Sequence, residues 1–169
     1  DIQNGAGAIA MDVKTGKILA MASIGGYDLN NFLDVSDEAK KAIEEAPTQE
    51  EKDQILADAQ RLQWRNKTLS DTYEPGSTFK IITLSMALEE GKVSLDDSFY
   101  CPGYITVEDR RIHCHKRTGH GSETFVQGIQ NSCNPVFIDL GLRIGSERYY
   151  ADFMRFGLLD KTGIDLPGE

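Results

Sequence analysis

The stretch that most limits how this chain can fold is STFKIITLSMALEE, residues 77–90. Phe79, Ile81, Ile82, Leu84, Met86, Ala87 and Leu88 cover most of the circumference of a helix here. A helix that is apolar on nearly every side belongs inside a domain, between other layers. Pro75-Gly76 supplies the turn into it and Gly91 a natural stop. Lys80 interrupts this pattern, three residues after Ser77. Residues i and i+3 share a helix face, so the two side chains point into one space. A serine hydroxyl is a poor nucleophile until a base takes its proton. A lysine can be that base only when neutral, and burial lowers its pKa. The unpaired N–H groups at a helix start also favour a developing oxyanion. By itself Ser-x-x-Lys is weak, because ordinary residue usage yields about one match in a chain this long. A lone pair of this kind is ordinarily just an exposed helix start.

The remaining elements frame this helix. Residues 5–24, GAGAIAMDVKTGKILAMASI, form two apolar runs around a turn at Asp12–Lys17, which predicts a β-hairpin. Their near-continuous apolarity predicts strands buried on both faces. Residues 36–63 are charge-rich and predict two surface helices, capped by Ser36 and Thr48 and separated by Pro47. Thr48 and Glu51 have capping-box spacing, and Ile55, Leu56, Ala59 and Leu62 form a narrow stripe. This pair reads as a solvated insertion rather than a partner-binding element. Short strands and turns are expected over 99–117, and a short helix over 122–130. A turn at Asn131–Asn134, an apolar helix over 135–145 and another helix over 146–157 should follow. That turn holds Ser132-Cys133-Asn134, whose hydroxyl and amide can project together toward Lys80. Alone, the tripeptide reads equally well as loop chemistry or as a cap for helix 135–145.

Composition closes off other classes. The chain has 169 residues, 40% hydrophobic and 27% charged, enough for one core. A net charge of -9 argues against nucleic acid as a partner. No apolar run reaches the roughly 18 residues that span a bilayer. The opening DIQNG and closing DLPGE read as the edges of a piece of something longer.

YEPGSTFK, then GHGSETFVQGIQNSCNPVF, then GIDLPGE, in that order and with the opening hairpin, resemble the transpeptidase domain of class B penicillin-binding proteins. The resemblance spans nearly the whole chain outside the insertion at about 36–63. It implies an α/β fold of the penicillin-binding protein/serine β-lactamase kind, an antiparallel sheet flanked by helices, with the remainder of the domain beyond residue 169. It implies that Ser77 is the acylated nucleophile, Lys80 the general base, Ser132 the proton shuttle, and Asn134 the contact to Lys80 and the substrate amide. It further implies peptidoglycan stem peptides as substrate, β-lactams as inhibitors and a membrane glycosyltransferase as partner. The location implied is extracytoplasmic, on an N-terminal membrane anchor. Two rival readings stand beside it: a β-lactam sensor or β-lactamase of the same fold, and a zinc-stabilised interaction module without chemistry.

Two segments depart from the family pattern. Lys161-Thr162-Gly163 has the letters of the family's third motif but no strand-like surroundings, and it precedes IDLPGE. We read it as a decoy. CPGYITVEDRRIHCHKRTGH crowds cysteines and histidines together. Zinc prefers such ligands in a tetrahedron, although the spacing fits no standard finger. The set expected is Cys101, Cys114, His115 and Cys133, with the zinc structural because the family's catalysis needs no metal. The alternative is three buried thiols and exposed histidines.

Overall fold

Turn chemistry between two apolar runs folds the start of the chain back on itself. The computed structural model describes residues 6–168, in two compact units: residues 6–73 with 163–168, and Glu74–Thr162. In the first unit β1 (Gly7–Met11) pairs antiparallel with β2 (Ile18–Ser23), Gly7 opposite Ser23, with a bulge between Ala10 and Met11. The Asp12 carboxylate accepts from the Lys14 N–H at 2.8 Å and fixes the turn. The expected burial on both faces does not occur: Ile9 and Leu19 are 49% and 69% exposed. Among the described residues of this unit, only the single turn α3 (Lys67–Ser70) packs on the ribbon, and one turn cannot cover two faces.

The charged pair forms as its caps predict. α1 (Asp37–Glu45) starts where the Ser36 hydroxyl accepts from the Ala39 N–H, and α2 (Gln49–Trp64) where Thr48 and Glu51 make a reciprocal capping box. Neither helix has a buried residue. Gln63 Nε2 and Trp64 Nε1 both donate to the Phe32 carbonyl at 2.8 Å, which ties the end of α2 to the preceding loop.

In the second unit, a 3-10 turn at Gly76–Phe79 runs into α4 (Lys80–Glu89). Two short ladders and three helices follow. β3 (Ser98–Cys101) pairs with β6 (Gly121–Thr124), and β4 (Tyr104–Val107) pairs with β5 (Arg110–His113), both antiparallel. α5 (Phe125–Gln130), α6 (Asn134–Ile144) and α7 (Ser146–Arg155) complete the unit. The mixed helix and antiparallel-strand composition is as expected. The strands among the described residues nevertheless form three separate two-stranded ladders rather than one central sheet. Residues 122–130 are not all helix: Ser122, Glu123 and Thr124 belong to β6, and Thr124 caps α5 through a capping box with Gln127.

The core of this unit lies between α4 and α6. Met86, Phe125, Val136 and Leu140 are almost completely buried, each side chain contributing about 1.5–3 kcal/mol of transfer free energy. Cys101, Cys114 and Cys133 sit in the same core. α4 is not enclosed all round, as its composition suggested. Thr83, Met86 and Ala87 are buried, while Ile81 is 64% exposed. Among the described residues of this unit, the helices that pack on α4 are α6 and α7.

Two glycines allow a close backbone approach in the unit. Gly103 and Gly119 both have positive φ, at 94° and 81°. A Cβ on Gly119 would lie 2.3 Å from the Cys101 carbonyl oxygen, and one on Gly103 would lie 2.1 Å from that of Arg117. Both obstacles are backbone, which cannot swing aside. Gly119→Ala should therefore cost about 3 kcal/mol or more, through strain and overpacking together. Urea unfolding should read this as a lowered midpoint at an unchanged slope.

Candidate active site

Ser77 and Lys80 are placed by the 3-10 turn. With three residues per turn, side chains at i and i+3 eclipse, so the two stand one above the other. The Lys80 N–H donates to the Ser77 carbonyl, closing that turn. Ser77 is exposed, whereas Lys80 is half-buried behind it.

The Lys80 ammonium reaches across to a segment more than fifty residues away. Nζ donates to the Ser132 carbonyl at 2.7 Å, to Ser132 Oγ at 3.0 Å and to Asn134 Oδ1 at 2.7 Å. It also lies 5.1 Å from the centre of the Phe137 ring. Burial pushes the Lys80 pKa below the ordinary lysine range, and the sulfurs of Cys114 and Cys133 push partly back. The structure thus brings Lys80, Ser132 and Asn134 into one hydrogen-bonded group, next to Ser77 along the chain.

The turn that carries Ser132 is held from both sides. The Ser132 N–H donates to the Ile129 carbonyl and the Cys133 N–H to the Gly128 carbonyl, the two bonds that close a helix in the Schellman arrangement. That arrangement puts Ser132 at φ 47°, a left-handed conformation rare outside glycine. Asn134 is fixed at its other end, where Nδ2 donates to the His113 carbonyl at 3.0 Å. Its amide is thereby oriented with oxygen toward Lys80. Neither Phe137 nor this second Asn134 contact is legible in the sequence. Both depend on how α6 meets its neighbours.

The three cysteines converge, with one change in the expected set. Ligand-type atoms of Cys101, Cys114, His120 and Cys133 all lie within 4.8 Å of one another. His120 stands where His115 was expected. His115 is exposed, and its Nδ1 lies 3.8 Å from Cys114 Sγ without joining the converging set. The reason is β6. Cys101 pairs with Gly121, which brings the preceding residue, His120, to the end of β3. Reading residues 122–130 as all helix concealed that ladder.

Among the described residues, Lys161-Thr162-Gly163 lies in no strand.

Residues 6–169 match the family described as the penicillin binding protein transpeptidase domain. This chain belongs to that family. Stage V sporulation protein D of Bacillus subtilis is 42% identical over 163 residues, which is 96% of this chain and 22% of the relative. Among solved structures, penicillin-binding protein 3 of Mycobacterium tuberculosis in complex with aztreonam superposes with a TM-score of 0.73. It is 30% identical, and the match covers 98% of this chain and 32% of that one. The D,D-transpeptidase domain of a peptidoglycan glycosyltransferase from Eggerthella lenta gives a TM-score of 0.69 at 30% identity, covering 90% of this chain and 33% of that one. This penicillin-binding protein segment therefore spans about a fifth of that curated relative. The α/β fold expected from the sequence is that of these transpeptidase domains.

Proposed function

We propose that this segment carries the acylating half of a peptidoglycan D,D-transpeptidase. The observation behind this reading is the bridge from Lys80 to Ser132 and Asn134, with Ser77 one 3-10 turn away. In the proposed reaction neutral Lys80 Nζ takes the Ser77 hydroxyl proton. Ser77 Oγ bonds to the carbonyl carbon of the penultimate D-Ala of a stem peptide, and the bond to the terminal D-Ala nitrogen breaks. Ser132 relays a proton to that leaving amine. An amine of a neighbouring stem peptide then attacks the ester, forms the cross-link and returns the proton to Ser77. The backbone N–H of Ser77 serves as one oxyanion donor. No metal or cofactor takes part in these steps.

The same chemistry makes Ser77 the target of β-lactams, whose strained amide stands in for the D-Ala–D-Ala bond. Aztreonam and ampicillin complexes of the Mycobacterium tuberculosis protein are consistent with this. The location proposed is extracytoplasmic, on a membrane anchor supplied elsewhere in the full-length protein, beside a membrane glycosyltransferase. No described helix is itself long and apolar enough to cross a membrane. The family's Lys-Ser/Thr-Gly strand is proposed to come from downstream sequence.

The test is peptide-mapped mass spectrometry of the full-length protein after incubation with a penicillin. A penicilloyl adduct on Ser77 that persists for hours, and is absent from Ser77→Ala, is the expected result. An adduct that turns over within seconds would make the protein a β-lactamase. A folded protein with no adduct would overturn the active-serine reading.

A further inference from the structure

The cluster behind the catalytic turn has its own chemistry. Cys101, Cys114 and Cys133 are each at most 1% exposed, and His120 is half-buried beside them. Their ligand atoms fall within 4.8 Å of one another, and Cys114 Sγ to His120 Nδ1 is 3.8 Å. A tetrahedral zinc with bonds of about 2.3 Å to sulfur sets its ligands about 3.8 Å apart, so the group needs only a slight contraction. The backbone is shaped to allow it. Gly103 and Gly119 let the 101–103 and 117–119 loops cross in contact, and the Cys114 N–H donates to the Gly103 carbonyl at 2.9 Å. Glu123, buried beside Cys133, accepts from Asn131 through one oxygen and leaves the other without a partner.

We propose that Cys101, Cys114, Cys133 and His120 bind one structural zinc ion, which anchors the Ser132-Cys133-Asn134 turn from behind. Cys133 is flanked by the two residues that hold Lys80, and its side chain points away from them into the core. The Asn134 side chain donates to the His113 carbonyl, next to Cys114. Fixing the sulfurs therefore fixes the turn. Cys114 and Cys133 act as positioning residues and take no part in the chemistry. The site does not depend on the transpeptidase reading.

The experiment is metal analysis of the chain purified anaerobically, followed by exchange of zinc for cobalt(II). About one zinc per chain is expected, with cobalt giving the visible absorption of a tetrahedral site and thiolate charge-transfer bands. His120→Ala should weaken cobalt binding at least tenfold, whereas His115→Ala should leave it unchanged. If the cysteine variants do not fold, His120→Cys remains informative, because it should keep the metal and shift the spectrum to that of four thiolates. Metal removal should speed hydrogen exchange at the Cys133 and Asn134 amides at least tenfold. A folded chain without metal would overturn the proposal. So would a mass about 2 Da low from a cysteine disulfide, or a cobalt spectrum indifferent to His120.

Discussion

Lys80→Met should leave the protein folded and cut the rate of acylation by a penicillin about 10²–10⁴-fold, the usual loss when a positioned general base is removed. Methionine fills nearly the same volume with an unbranched side chain, so packing against Phe137 survives. The change strands the Ser132 carbonyl and Asn134 Oδ1, each bonded to Nζ at 2.7 Å. That loss opposes the gain from no longer desolvating an ammonium, and the melting temperature should move little. The contrast with Lys80→Arg is informative. Arginine keeps a charge and several donors but cannot give up its proton at any accessible pH. If Lys80 only bridged the two segments, arginine would restore the rate. If Lys80 is the base, both variants fail alike. Nζ now donates to three acceptors, the full complement of an ammonium. To act as a base it must release a proton and turn a lone pair toward Ser77, and burial already favours that release. Stopped-flow acylation with a fluorescent penicillin measures both variants. A Lys80→Met rate within threefold of the parent would remove Lys80 from the mechanism.

Much of this was legible because the signals were local. Ser36 and Thr48 cap α1 and α2 through hydrogen bonds within four residues. The Asp12–Lys17 turn likewise carries its own chemistry. The order of Ser77-x-x-Lys80 and Ser132-x-Asn134 pointed to residues that the fold brings together across more than fifty positions. What failed depended on non-local pairing. Ser122–Thr124 looked like a helix start because Thr124 and Gln127 do cap one. What makes these residues a strand is Ser98–Cys101, more than twenty residues earlier. Missing that ladder also misplaced the histidine, since His115 and His120 differ only in which one Cys101 meets. Burial was overread for a similar reason. Apolar character in β1, β2 and the outer face of α4 shows that a side chain would gain from being covered, not which element covers it.

Ser132→Gly should raise stability and lower activity at once. At φ 47° Ser132 holds a conformation that costs a residue with a Cβ about 1 kcal/mol and costs glycine nothing. Its position closes α5, where glycine is the ordinary choice. A serine there is a local violation that persists for what the hydroxyl does. Oγ lies 3.0 Å from Lys80 Nζ. Glycine would relax the backbone and remove that hydroxyl, and the carbonyl contact to Lys80 would remain. The urea midpoint should correspond to about 1 kcal/mol of added stability, with acylation slowed about 10²-fold or more. Ser132→Ala separates the two effects, because it also removes the hydroxyl but keeps the strained backbone. Its rate should fall as far as that of the glycine variant, without the gain in stability. If glycine destabilised the protein instead, Ser132 Oγ would be a structural tie to Lys80, and its assignment as a proton relay would fall with it.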